Sequence, residues 1–94
     1  MKKLFVSYCT EYEAGWGQRP DGLMIGEDLK SMTEEIGKRN VGGNPDYFWR
    51  YSEPEEVFCD DDTYNKIVFE LNDDKFYFSS VNRLEKIGKF YKEA

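Results

Sequence analysis

The sequence contains no histidine and only two cysteines, and these shortages limit the chemistry that it can perform. Histidine is the most frequent general base and a common zinc ligand, so its absence argues against both roles. Cys9 and Cys59 alone are too few for a structural zinc site. We therefore expect no metal, no cofactor and no enzymatic activity.

Long apolar runs are also lacking, which bears on where the protein resides. No segment approaches the roughly 20 consecutive apolar residues that a membrane-spanning helix requires. The charged start, with Lys2 and Lys3, is typical of a signal peptide, but the apolar run after it is too short for one. We expect a cytoplasmic protein with reduced thiols. In that compartment a disulfide between Cys9 and Cys59, although open on geometric grounds, is not expected.

Positive charge is scarce, with 13 basic residues against 19 acidic ones and a net charge of −6. Proteins that bind DNA or RNA neutralise phosphates with Lys and Arg, so direct nucleic-acid binding is disfavoured. The acidity is concentrated between residues 53 and 62, which we expect to form a solvated loop able to meet a basic groove on a partner protein. Its carboxylates are those of Glu53, Glu55, Glu56, Asp60, Asp61 and Asp62.

Three acidic or thiol features are better explained by structure than by chemistry. The run Cys-Asp-Asp-Asp at 59–62 lacks the alternating ligands, central Gly and distant Glu of a calcium loop. Glu11 and Glu13 are two residues apart on a predicted strand, where we expect a solvated face rather than an acid–base pair. Cys9 has no histidine to activate it and is expected to be a packing residue.

The first half of the chain predicts two strands and a helix. Residues 4–12 alternate in polarity, with Leu4, Val6, Tyr8 and Tyr12 on one face, which indicates a half-buried strand. A loop is expected at 13–22, ending in an Arg-Pro-Asp-Gly turn, before a short strand at 23–25 that pairs back on the first. Residues 27–39 have helical spacing, and the helix begins either near Glu27 or after Ser31, which with Glu34 resembles a capping box.

The second half predicts three strands and a second helix. An aromatic strand is expected at 47–51, and a hairpin at 66–71 and 75–79 joined by Asn-Asp-Asp. Ser80 is expected to cap a helix whose apolar face includes Ile87 and Phe90. These elements predict one α+β domain over residues 1–94, with an antiparallel sheet of four to five strands and two helices on one face.

The predicted loop at 13–22 carries the first candidate site. Trp16 and Arg19 belong to the residue types most enriched among binding hot spots, and loops often carry function. In the alternative interpretation Trp16 covers the core and Arg19 pairs with a carboxylate. The loop contains a Gly-x-Gly segment, but the third glycine, the Lys and the following helix of a phosphate-binding motif are missing.

The aromatic strand at 47–51 is the second candidate site. A strand can bury one face only, so Phe48 is expected to point inward while Tyr47, Trp49 and Tyr51 point the other way. If that face is exposed it marks an interface, and if a helix covers it the rings belong to the core.

A small enzyme or structural subunit stays open as a class of function, but no feature of the sequence supports it. Two further classes remain, and a resemblance favours the first. They are an inhibitor that occupies a partner protein's surface, and a small-ligand binder in which Trp16 stacks on a nucleotide-like ring and Arg19 grips an anion. The stretch Glu-Ala-Gly-Trp-Gly-Gln-Arg-Pro-Asp-Gly at 13–22 resembles segments of small phage and mobile-element proteins. The short, acidic, aromatic-rich profile is similar to that of anti-CRISPR and other anti-defence proteins. The resemblance implies a non-enzymatic inhibitor of a host defence factor, such as a CRISPR-Cas or other nucleic-acid-handling complex.

Overall fold

The computed structural model describes residues 1–41, 46–71, 75–80 and 86–93, and its sheet is built around one long strand. That strand, β1, pairs with three others in antiparallel fashion, so it forms the centre of a five-stranded sheet with the order β3-β1-β2-β5 and with β4 also on β1. The fold is α+β with five strands and two helices, as predicted. The strands are β1 Lys2–Glu13, β2 Gly17–Gly26, β3 Tyr47–Tyr51, β4 Glu55–Cys59 and β5 Phe76–Ser79.

Strands β3 and β4 follow one another along the same edge of β1. β3 pairs with residues 9–13 of β1, and β4 pairs with residues 2–6. Ser52 lies at the break between them, where its N–H donates to the Tyr8 carbonyl at 2.9 Å and its hydroxyl accepts from the Tyr8 N–H. The Ser7 hydroxyl donates to the Ser52 carbonyl. These bonds keep the backbone paired where the edge strand is interrupted.

The two helices lie on opposite faces of the sheet, so the expectation that both cover one face is wrong. α1, Leu29–Arg39, buries Met32 and Ile36 against one face, and α2, Asp61–Leu71, buries Ile67 and Leu71 against the other. The first half of β1, which includes residues 4–6, therefore has apolar side chains packed on both faces of the sheet, whereas simple alternation predicts one buried face. The α2 core contains Leu4, Val6, Leu23, Ile25, Val57, Cys59 and Tyr77, and the α1 core contains Phe5 and Met24.

The predicted loop at 13–22 is largely strand. β1 and β2 form a hairpin that turns at residues 14–16, where positive φ angles at Gly15 and Gly17 permit the tight reversal. The Arg-Pro-Asp-Gly segment is no turn but a bulge, because Thr10 pairs with Pro20 while Cys9 pairs with Gly22. Pro20 is tolerated there because β5 extends only along residues 23–26, so β2 is an edge strand at that point.

The predicted hairpin at 66–71 and 75–79 is wrong in its first half, which belongs to α2. Thr63, Ile67 and Leu71 are buried at a spacing of four, whereas Phe69, which a strand would have aligned with Ile67 and Leu71, is 82% exposed. The second half forms β5. The expected turn at 72–74 lies outside the described residues.

The ends of the helices account for the remaining differences. α1 begins after Asp28, whose carboxylate accepts from the Ser31 N–H at 2.8 Å, so Asp28 rather than Ser31 is the N-cap. Of the C-terminal helix expected from Ser80, residues 81–85 lie outside the described residues, and residues 86–87 are helical. Residues 88–90 are not helical, and Tyr91 forms a β-bridge with Phe58.

Candidate protein-interaction site at the hairpin end

The far end of the sheet contains the residues that the sequence analysis singled out first. We call this region, made of residues 9–22 and 47–51, the hairpin end. Cys9 and Gly22 lie at the border between this region and the rest of the sheet. Among the other described residues of the hairpin end, only Tyr51 packs against one of the two cores that the helices cover. The rest form a three-stranded ribbon held by backbone pairing and by contacts between its own side chains.

Trp16 stands at the tip of this ribbon with 84% of its surface exposed. The backbone N–H of Trp16 donates to the Glu13 carbonyl at 3.0 Å, and this bond closes the turn. The alternative in which Trp16 covers the core is therefore wrong. A large indole surface in water contributes little to folding, and Trp is the residue type most enriched in binding hot spots. Its part in binding stays a prediction.

Arg19 is bound to Glu11 on the neighbouring strand. Its Nε and Nη2 donate to the two carboxylate oxygens, each at 3.1 Å, in a bidentate pair. The Glu11 side chain is 4% exposed and that of Arg19 is 71% exposed. Arg19, and then the Tyr47 hydroxyl, hold the pKa of Glu11 below its ordinary value. The salt-bridge interpretation of Arg19 is thus correct, and the expectation of a solvated Glu11 is wrong.

The aromatic residues of β3 divide between surface and core. Tyr47 and Trp49 touch edge to face, with ring centroids 4.7 Å apart, and both are exposed. Tyr51 lies beneath the end of α1, where burial raises the pKa of its hydroxyl and Arg39 sits over its ring. The candidate interface of the aromatic strand is therefore reduced to Tyr47 and Trp49.

The opposite face of the ribbon carries Tyr12 and Phe48, which the sequence analysis placed on inward faces rather than in a site. Both are half-buried, and neither belongs to the cores under the helices. Tyr12 and Phe48 stack with ring centroids 4.9 Å apart, and Arg50 lies 4.5 Å above the Phe48 ring. The register places Tyr12 opposite Phe48, so the stack is a direct cross-strand pair. Their alternation along β1 and β3 was visible in the sequence, but the pairing of the two strands was not.

Two shallow clefts flank the turn. One, of about 180 Å³, is lined by Glu11, Glu13, Trp16, Gly17, Gln18 and Arg19. The other, of about 470 Å³, lies on the opposite face against Tyr12 and Phe48. Both are open to solvent, so their walls are available to a partner side chain.

The acidic segment lies at the other end of the molecule. Asp60, Asp61 and Asp62 follow β4, whose last residue pairs with Lys2 at the start of β1. Glu55 and Glu56 pair with Val6 and Phe5, whereas Trp16 lies beyond the other end of that strand. A strand of 12 residues is roughly 36 Å long, so the two candidate regions form no common patch.

The expectation of a loop over 53–62 is wrong, because four of its six carboxylates lie in β4 or α2 and only Glu53 and Asp60 lie between these elements and their neighbours. Glu55 and Glu56 belong to β4, and Glu56 pairs with Lys3 at 3.6 Å. The Asp60 carboxylate accepts from the Thr63 N–H at 2.7 Å, which lowers the pKa of Asp60 and caps α2. Asp61 and Asp62 occupy the first turn of α2, where negative charge is favourable.

The cysteines are buried and far apart. Cys59 faces Lys2 across the sheet, seven residues along β1 from Cys9, a separation of roughly 23 Å. A bond between them is therefore excluded on geometry. Burial raises the pKa of both thiols, opposite to what a reactive thiolate requires.

The described residues contain neither a metal-binding cluster nor a membrane-spanning helix. No group of three or more potential metal-ligating side chains occurs in the parts of the chain that the structure describes. Within those same ranges, none of the helices has the length and apolar character needed to span a bilayer.

Comparison with known proteins does not assign the chain to a family. No protein-family model, no curated protein and no solved structure matches it. Its function therefore has to be argued from the hairpin end and the charge of the molecule.

Proposed function

We propose that this chain is a non-enzymatic interaction protein that inhibits its partner by occupying the partner's surface, with the hairpin end as the contact. The observation that supports this most directly is the 84% exposure of Trp16 at the tip of a paired hairpin. By its resemblance to anti-defence proteins, we propose that the partner is a host defence factor in the cytoplasm, such as a CRISPR-Cas or other nucleic-acid-handling complex.

The hairpin end has the features of a preorganised contact surface. Trp16 is presented by a two-stranded ladder rather than by an open loop, so little backbone entropy is lost on binding. The Glu11–Arg19 pair fixes the guanidinium plane and leaves one of its terminal nitrogens directed outward. Exposed Tyr47 and Trp49 enlarge the aromatic area on the neighbouring strand.

The net charge indicates the character of the partner. A protein with a charge of −6 approaches a basic groove faster than a neutral one, because electrostatic steering raises the association rate. The acidic residues near α2 are remote from Trp16, so they contribute through the long-range field unless the partner spans the molecule. Spanning the molecule means covering its greatest dimension, which is 42 Å.

A small-ligand role is the second candidate, supported by the cleft beside Trp16. An aromatic ring could stack on the exposed indole. The charges of the cleft disfavour a phosphate, however. Arg19 is committed to Glu11, and Glu13 adds a second carboxylate beside it. A nucleotide-like ligand would therefore have to bind through its base.

The test is an affinity capture from bacterial lysate at low and moderate salt, read by mass spectrometry. Wild type is compared with Trp16→Ala and with Phe69→Ala. Phe69 is a matched control because it is 82% exposed but lies on α2. We expect one dominant protein with wild type and Phe69→Ala and its loss with Trp16→Ala. The same protein retained by Trp16→Ala would remove the tip from the contact. An empty capture would favour the small-ligand candidate, which a thermal-shift screen with nucleotides and nucleobases then tests.

A further inference from the structure

The outer edge formed by β3 and β4 is covered at two points. The Tyr51 N–H donates to Oδ1 of Asn40 at 2.8 Å, and Nδ2 of Asn40 donates to the Tyr51 carbonyl at 2.9 Å. On β4, the backbone groups of Phe58 exchange hydrogen bonds of 2.7 and 2.8 Å with those of Tyr91. Side-chain and backbone caps of this kind block strand addition at an exposed edge.

Between Tyr51 and the start of β3, no second strand and no asparagine side chain among the described residues covers the edge, although Nη1 of Arg50 donates to the Trp49 carbonyl. Ser52 donates to the Tyr8 carbonyl, and Ala14 donates to the Asp46 carbonyl, so both pairs are hydrogen-bonded pairs of the β1–β3 ladder. Such pairs alternate in an antiparallel ladder, which makes Phe48 and Arg50 face β1. The N–H and carbonyl groups of Tyr47 and Trp49 therefore point away from β1. β3 ends the strand order among the described strands.

The sequence of this edge is self-complementary about Phe48. Residues 46–50 read Asp-Tyr-Phe-Trp-Arg, so reversing the direction exchanges an acid with a base and one aromatic ring with another. In an antiparallel pair centred on Phe48, Tyr47 of one copy lies opposite Trp49 of the other, and Asp46 lies opposite Arg50. Aromatic and opposite-charge pairs directly across two strands are stabilising.

We propose that two copies of this chain associate through β3, antiparallel and centred on Phe48, to join their sheets into one. Four backbone hydrogen bonds would link Tyr47 and Trp49 of each copy to Trp49 and Tyr47 of the other. The two-fold axis is perpendicular to the sheet, so the exposed rings of both copies meet on a single face.

The Asn40 cap selects this register. A pair centred on Trp49 would place Tyr51 opposite Tyr47, in a position whose backbone groups Asn40 already holds. The centre at Phe48 uses only the two residues whose groups point outward. Pairing requires Arg50 to rearrange, since its Nη1 donates to the Trp49 carbonyl of its own strand at 2.9 Å and its guanidinium lies over the Phe48 ring. On pairing, the guanidinium moves to Asp46 of the second copy.

The association goes beyond the proposed function, because it leaves the indole of Trp16 outside the contact. Five residues of one strand make a small interface, so we expect a weak dimer that depends on protein concentration. A dimer would present two hairpin tips and so allow bivalent binding.

The test is sedimentation equilibrium over a series of protein concentrations, with charge reversals at the two ends of the strand. Asp46→Arg and Arg50→Asp each create two like-charge pairs in a symmetric dimer, so each should weaken association by about tenfold. The double variant carrying both changes restores the charge pattern and should dimerise again. An equimolar mixture of the two single variants should form a heterodimer, which also shows that both are folded.

Several results would overturn the proposal. A wild-type chain that stays monomeric at every concentration leaves no self-association to explain. A dimer that both single reversals leave unchanged, or a mixture no tighter than its components, would place the contact elsewhere.

A second measurement tests the register itself. In the proposed pair the two copies of residue 48 face each other as a non-hydrogen-bonded pair, with Cα atoms about 4.5 Å apart, which suits a disulfide. Phe48→Cys should therefore give a covalent dimer on mild oxidation. Trp16→Cys, at a more exposed position at the tip, should not. Equal cross-linking of the two variants would contradict the register.

Discussion

Glu11 and Arg19 face each other directly across the β1–β2 ladder, and the exposed guanidinium neutralises a carboxylate that is almost wholly buried. This relationship changes what Arg19 can be used to test. Removing Arg19 affects the fold as well as any contact with a partner. Trp16 lies three residues beyond the end of β1, and its side chain makes no such bond to another described residue. Binding and stability are therefore separable at Trp16 and coupled at Arg19.

We predict that Arg19→Ala lowers the melting temperature by roughly 5 °C or more. The substitution leaves the Glu11 carboxylate buried without its cation, and an uncompensated buried charge is costly. Adding Glu11→Gln should recover part of the loss. Trp16→Ala, measured by the same thermal unfolding, should stay near wild type. If Arg19→Ala melted like wild type, the pair would have no structural role.

The stability of the protein should depend on pH through Glu11. Because the pKa of Glu11 is lowered by folding, the pair stabilises the protein fully above the unfolded pKa of about 4.3 and loses this effect as pH falls through the folded pKa. Glu11→Gln should thus be less stable than wild type at neutral pH, with the difference shrinking in acid. Asp28 and Asp60 also have lowered pKa values, so the comparison between these two proteins isolates Glu11. A difference independent of pH would contradict this account.

Two glycine-to-alanine substitutions should change the free energy of unfolding in opposite directions. Gly22 has a φ of 151°, and a Cβ there would lie 2.8 Å from the Ser79 carbonyl oxygen, so Gly22→Ala should destabilise by about 1–3 kcal/mol. Gly37 lies in α1 with open space around it, so Gly37→Ala should stabilise by about 0.5–1 kcal/mol. Urea unfolding of both variants checks the pair. Equal effects would mean that backbone conformation does not distinguish the two positions.

Asn40 should stabilise the edge of the sheet as well as the end of α1. Asn40→Ala removes both side-chain bonds to Tyr51 and should cost about 1–2 kcal/mol. Asn40→Asp keeps the acceptor for the Tyr51 N–H but loses the donor to its carbonyl, so its effect on amide exchange at Tyr51 should be smaller. Hydrogen exchange measured by NMR distinguishes the two. Unchanged protection of Tyr51 in Asn40→Ala would show that the cap is dispensable.

Three of the five strands, β1, β3 and β5, could be predicted because their signals are local, whereas β4 and the first part of β2 were expected to be loops. Alternation identified β1, aromatic residues identified β3 at its observed bounds, and the extended character of 75–79 identified β5. The second helix could not be read in the same way, since β-branched and aromatic residues at 67–69 have strand propensity. Burial against the sheet at a spacing of four overrode that preference.

The candidate site was predicted in part. The exposure of Trp16 follows from its place among turn glycines, and that much was open to sequence reasoning. The burial of Glu11 depends on which strands flank β1, and the distance between Trp16 and Asp60 depends on the direction of β4. Neither is encoded in local spacing.

The break at Ser52 has a consequence for how the chain can change over time. It separates the half of β1 that lies between two helices from the half that carries the ribbon. Side chains beyond the break are constrained mainly by one another and by whatever they bind. Substitutions at exposed positions such as Trp16, or even an added pair of residues at the turn, can therefore change the surface of the ribbon while the helix-covered part still folds. One strand, β1, thus belongs both to the part of the sheet that the helices cover and to the ribbon that they leave uncovered.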